Sequence, residues 1–201
     1  MATIVTDEAE LILAGDNPWT LLYDGDRIVA NASLWRVRYS PVGIGNVLLW
    51  FCDENTDGRP QVLADSAALG AWVRDTIWLS IPFIAERYDA DRDGGSLGDA
   101  RFDISEGPDE LRATVTPADG AQVVVSWSRL GVPFFGQSLA AEADETLSHS
   151  AAYVPAEAAS IAGGRGPSSG RPIPRERGPR RSSSAFLALS ESWTRRTPPT
   201  S

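Results

Sequence analysis

Asp89, Asp91 and Asp93 alternate in the stretch DADRDGGSLGD and are followed by Gly94, which is how an oxygen-ligand calcium loop begins. Such a loop takes oxygens from positions 1, 3 and 5, a glycine at 6 and a bidentate glutamate at 12. Counted from Asp89, position 12 is Ala100, and the nearest carboxylate, Asp99, stands at 11. A second near-match, DENTDG from Asp53, has Ala64 at its position 12. Both lack the ligand that supplies two oxygens, so they read first as acidic turns. Asp89, Asp91, Asp93 and Asp99 are the candidate ligands if the first loop takes calcium.

Other reactive groups are few. All eighteen basic residues are arginine, which removes Schiff-base and phosphate-loop lysines from consideration. His149 is the single histidine, so a histidine-rich metal site is excluded. Cys52 is the single cysteine and has no internal disulfide partner. With no glycine-rich phosphate loop in the chain, no cofactor is expected. What remains is arginine, carboxylate and tryptophan. Arg74, on a helical pattern between Val73 and Ile77, is the first candidate to clamp a carboxylate or carbonyl, followed by Arg36 and Arg38. Glu86, after the apolar run IPFIA, is the candidate acid-base residue, because partial burial would raise its pKa. Four of the seven tryptophans, Trp35, Trp50, Trp78 and Trp127, fall in apparent strands and suit either a core or a ligand wall.

The elements that would position these residues are mostly strands. WTLLYDGDRIVANASLWRVRY reads as a hairpin turning at Asp24-Gly25, and ELRATVTPADGAQVVVSWS as another. In the latter, Leu111, Ala113 and Val115 face Val123, Val125 and Trp127. NVLLWFCDENTDGRPQVLA repeats the pattern around Asp57-Gly58. Two short helices are predicted. One lies in TDEAELILAG, stopped by Gly15, and one in DSAALGAWVRDT, capped by Asp65 or Ser66.

Charge divides the chain. Residues 1–154 carry ten arginines and twenty-four acids, net −14, whereas 155–201 carry eight arginines and three acids, net +5. The second part also holds GGRGPSSGRPIPRERGPRRSSS, so it reads as a basic flexible tail on a β-rich domain. Within it Phe186, Leu189 and Trp193 give a helical stripe over 184–193, and 182–196 is the candidate segment for a protein partner. The acidic body argues against nucleic acid. The longest apolar run, VLLWFC, is too short for an integral membrane segment, and the acidic start lacks the order of a signal peptide. The cytoplasm is therefore the expected compartment.

Residues 38–50, RYSPVGIGNVLLW, resemble the motif RYxxSPVGPYxEL of acetoacetate decarboxylase-like proteins, and residues 60–86 resemble that family's next block. The resemblance implies a cone-like antiparallel β fold around a central cavity. It keeps Arg74 and the Ser40-Pro41-Val42-Gly43 turn. Phe83 falls where the family has its reactive lysine, Val47 where it has a glutamate, and Gly45 where it has an aromatic. Trp78 to Pro82 is one residue longer than the family's spacing. Imine chemistry needs an amine nucleophile, so the implied function is without it.

These readings give a mainly β (α+β) fold, with an antiparallel closed or cone-like sheet, two short helices and a C-terminal tail. The leading function is binding of a small, largely apolar ligand through Arg74, Arg36, Arg38, Trp35, Trp78 and Phe83. A non-imine enzyme acting on a keto-acid or polyketide-like carbonyl through Glu86 is one alternative. An adaptor working through the C-terminal helix is the other.

Overall fold

Alternating side chains and left-handed turn residues set most of the elements. In the computed structural model, which describes residues 9–89, 97–118, 120–138, 147–177 and 180–196, β1 (Ala9–Asp24) and β2 (Arg27–Tyr39) form the first hairpin. Gly25 takes φ 59° at its turn. After β3 (Gly45–Cys52) come a single helical turn, α1 (Asp53–Thr56), and β4 (Gln61–Ala64). Asp57 and Gly58 provide the left-handed pair between them. The chain then crosses the outside of the sheet as α2 (Ala67–Thr76), a 3-10 turn at Trp78–Ser80, and α3 (Pro82–Ala85). Ser66 caps α2 by accepting from the Leu69 amide.

Among the described residues the regular elements of the second half are all strands: β5 (Leu97–Glu106), β6 (Glu110–Pro117), β7 (Val123–Leu130), β8 (Phe134–Ser138), β9 (Leu147–Gly163), β10 (Gly166–Pro167), β11 (Pro174–Arg177), β12 (Arg180–Ser183) and β13 (Ala185–Arg196). The β6–β7 hairpin has the expected register, with Leu111 opposite Trp127, Ala113 opposite Val125 and Val115 opposite Val123.

Nine strands close into a barrel in the order β9-β13-β1-β2-β3-β4-β5-β6-β7, with β7 returning to β9. The sheet is mixed, not wholly antiparallel, because β4 and β5 run parallel. A parallel pair requires a crossover, and the helical segment 67–85 supplies it. The barrel is filled from within. Leu34, Leu48, Ala113, Val125, Trp127 and Ile161 are each fully buried in one cluster, as expected for a barrel just wide enough for its own side chains. A second core lies outside the wall, where Leu69, Val73, Ile77, Trp78 and Ile84 pack on Trp35, Leu49 and Phe51.

Two sequence expectations fail here. Residues 9–15 of the segment read as an N-terminal helix are the first half of β1, flanked by β2 and β13, and residues 6–8 lie outside the described residues. Gly15 does not stop a helix: a Cβ there would collide with the carbonyl oxygen of Arg36 on β2. The region beyond 154 is likewise no detached tail. Pro155 lies inside β9 opposite Phe186, and β13 is hydrogen-bonded to β1 on one edge and β9 on the other. Ala185 and Leu187 enter the barrel core at period two, so the helical stripe over 184–193 does not form. Residues 185–196 thus belong to the wall and Ser182 and Ser183 to the β11–β12 hairpin, not to a free recognition segment. Among the described residues no helix is long and apolar enough to cross a membrane.

Candidate functional site

β13 carries the feature that organises the site. Ala185, Leu187 and Leu189 face the interior, while Phe186 and Ala188 face out. Ser190 then takes φ 50°, and the pairing with β9 slips between Leu189 and Ser192. This bulge resets the alternation, so that Glu191 and Trp193 also face out. Asp16 holds the bulge in place: its Oδ1 accepts from the Ser190 amide at 2.9 Å, and its other oxygen pairs with Arg38.

Glu191 and Trp193 thereby join a cleft of about 250 Å3 on the outer wall, beside the crossover segment. Trp19, Trp35, Trp78, Tyr153 and Phe186 add aromatic lining, and Asn17, Ser33, His149, Arg175, Ser183 and Ser184 add polar groups to that of Glu191. Several of the polar groups in and around the cleft are tied down. Ser33 Oγ donates to Asn17 Oδ1 at 2.9 Å. Trp78 Nε1 lies 3.3 Å from Asn31 Oδ1, and Asn31 Nδ2 donates to the Thr20 carbonyl. His149 stacks on Trp193 with ring centroids 4.7 Å apart. Arg175, at the exposed rim, donates to the Tyr23 hydroxyl.

Glu191 itself is 4% exposed. Trp193 Nε1 donates to its Oε1 at 2.7 Å, whereas its Oε2 is buried without a hydrogen-bond partner. Burial pushes its pKa up to about 7, against the opposing effect of hydrogen bonds from Trp193 and Asn17. The cleft therefore holds a carboxyl that changes charge near neutral pH, in aromatic surroundings.

The residues singled out from sequence lie in several places. Trp35 and Trp78 line this cleft, and Phe83 packs at the margin of the same outer core. Trp50 and Trp127 point into the barrel instead. Arg36 and Arg38 share the side of β2 that carries the inward Ala32 and Leu34, at the strand end, where Arg36 pairs with Glu106 and Arg38 with Asp16. Arg74 is buried on α2, makes a two-point pair with Asp75 at 2.7 and 3.1 Å, and lies 5.5 Å from the Tyr88 ring centre. Its hydrogen bonds to Asp75 raise its already high pKa. Glu86 is exposed at the end of α3. Among the described residues, none of the three arginines, nor Glu86, Asp89 or Asp99, lines the 250 Å3 cleft. Asp89 and Asp99 are exposed, and Asp91 and Asp93 lie outside the described residues. Among the described residues no three histidine, cysteine, aspartate or glutamate side chains cluster as a metal site.

Sequence reasoning missed Glu191 and Asn17 as site residues and read Trp193 as part of a partner-docking helical stripe. The signal was present, because Glu191 is the lone acid in the strand-like run AFLALSESW. A larger groove of about 1280 Å3 runs between the β7–β8 connection and the β11–β12 hairpin, but its arginines, including Arg129, Arg180 and Arg181, are exposed. Cys52 is buried, its thiol donates to Glu54 at 3.0 Å, and burial raises its pKa, which is the reverse of what a nucleophile needs. No family model, curated protein or solved structure matches the chain.

Proposed function

We propose that the protein binds a small, largely apolar molecule in the outer-wall cleft, anchored at Glu191. The observation that carries this reading is a buried carboxyl with one unpartnered oxygen on the wall of an aromatic cleft. A buried polar group without a partner costs stability, so it persists most readily where a ligand completes it. The volume suits a molecule of one or two rings. Arg74, Arg36 and Arg38 are already held by carboxylates of the chain, so the polar anchor in this proposal is an acid and not an arginine clamp. Imine chemistry stays outside it, since the chain has no lysine.

Ligand-observed NMR with one- and two-ring compounds tests the reading, using Ile81→Trp to fill the rim of the cleft. Hits should bind the wild type and be lost in the variant. Hits that bind both equally well would place the ligand elsewhere and end the proposal. The same Glu191 supports a second reading, proton transfer to a carbonyl substrate, because an acid with a pKa near neutrality is suited to it. Turnover that survives in Glu191→Gln would remove that reading.

A further inference from the structure

Resting on the proposed binding cleft, we infer that its ligand is a hydrophobic amine whose ammonium group pairs with the Glu191 carboxylate. Three observations converge on that class. The hydrogen bond that the Glu191 carboxyl accepts, from the Trp193 indole N–H, favours the ionised acid. The partner still missing is at Oε2, where a carboxylate can only accept, so the ligand must donate. The walls are tryptophan, tyrosine and phenylalanine, whose ring faces attract a cation that has left water. An anion would meet a buried acid there. Above about pH 7, where Glu191 is ionised, a neutral molecule would leave the charge uncompensated.

The charged and titratable neighbours are arranged consistently with this. On β1, Asp16 is engaged with Arg38 and the Ser190 amide, so it leaves Glu191 to receive the cation. On β9, His149 stacks against Trp193, and on β11, Arg175 stands at the solvent rim on Tyr23. On the crossover, the lining residues are the uncharged Ile77, Trp78 and Ile81. The ammonium would sit at the Glu191 end, with the apolar body against the tryptophans.

Calorimetry with phenethylamine, phenethyl alcohol and phenylacetate separates the inference from the reading on which it rests. At about pH 8, above ordinary imidazole titration, the amine should bind about ten-fold or more tightly than the alcohol. Glu191→Gln should weaken the amine by a similar factor and leave the alcohol unchanged. Near neutral pH, amine binding should also release protons, seen as a dependence of the heat on the buffer's ionisation enthalpy. This readout does not depend on any variant. The inference is overturned, with the cleft intact, if the alcohol or phenylacetate binds as tightly as the amine and is lost in Ile81→Trp. It is also overturned if Glu191→Gln leaves amine binding unmoved. If none of the three binds at millimolar concentration, the cleft reading falls with it.

Discussion

Replacing Glu191 by glutamine should make the folded protein more stable in base and remove a pH dependence. Burial moves this acid from its ordinary 4.5 to about 7. At ~1.4 kcal/mol for each pH unit of that difference, ionised Glu191 costs roughly 3 kcal/mol. The sign follows from which state holds the proton. Between the two values the folded protein keeps a proton that the unfolded chain has already released. The stabilisation is therefore fully present below pH 4.5 and lost as pH rises through about 7. Glutamine keeps an oxygen to accept from Trp193 Nε1 and does not titrate. The stability of Glu191→Gln minus that of wild type should thus climb by roughly 3 kcal/mol from about pH 4.5 to pH 8, other groups cancelling in the difference. Denaturant unfolding of both proteins across that range measures it. A flat difference, or a Glu191 carboxyl carbon titrating near 4.5 by NMR, would refute the reasoning.

Three further outcomes follow from the same structure. Asp16→Ala removes the acceptor of the Ser190 amide and the partner of Arg38. It should cost roughly 1–3 kcal/mol by denaturant unfolding and shift the tryptophan emission as Trp193 loses its position, whereas an unchanged spectrum would mean that Asp16 does not hold the bulge. Cys52 should react with iodoacetamide only at the rate of unfolding, because its thiol is buried and its pKa raised; fast labelling of native protein would contradict this. Ending the chain after Ser184 deletes β13 and opens both of its edges, so cooperative thermal unfolding should disappear, and a retained sharp transition would show that the barrel folds without it.

What the sequence determined by itself is what local physics decides. The β6–β7 hairpin, the Asp24-Gly25 turn and the α2 helix were legible because alternation, left-handed turn residues and a capping serine act over a few neighbours. Trp35 and Trp78 were legible as candidates for a ligand wall, though not which side of the sheet they would face. Pairing was the limit. The runs ELILAG and AFLALSESW fit helix or strand by pattern alone, and each became a strand because two neighbours offered it open hydrogen-bonding edges. The parallel β4–β5 contact depends on a crossover that brings residues 62 and 97 together, which no short window encodes. Glu191 depended on the tertiary structure most of all. Its face is set by a one-residue bulge at Ser190 anchored by Asp16, far away along the chain, and its pKa by the desolvation that only the assembled wall imposes.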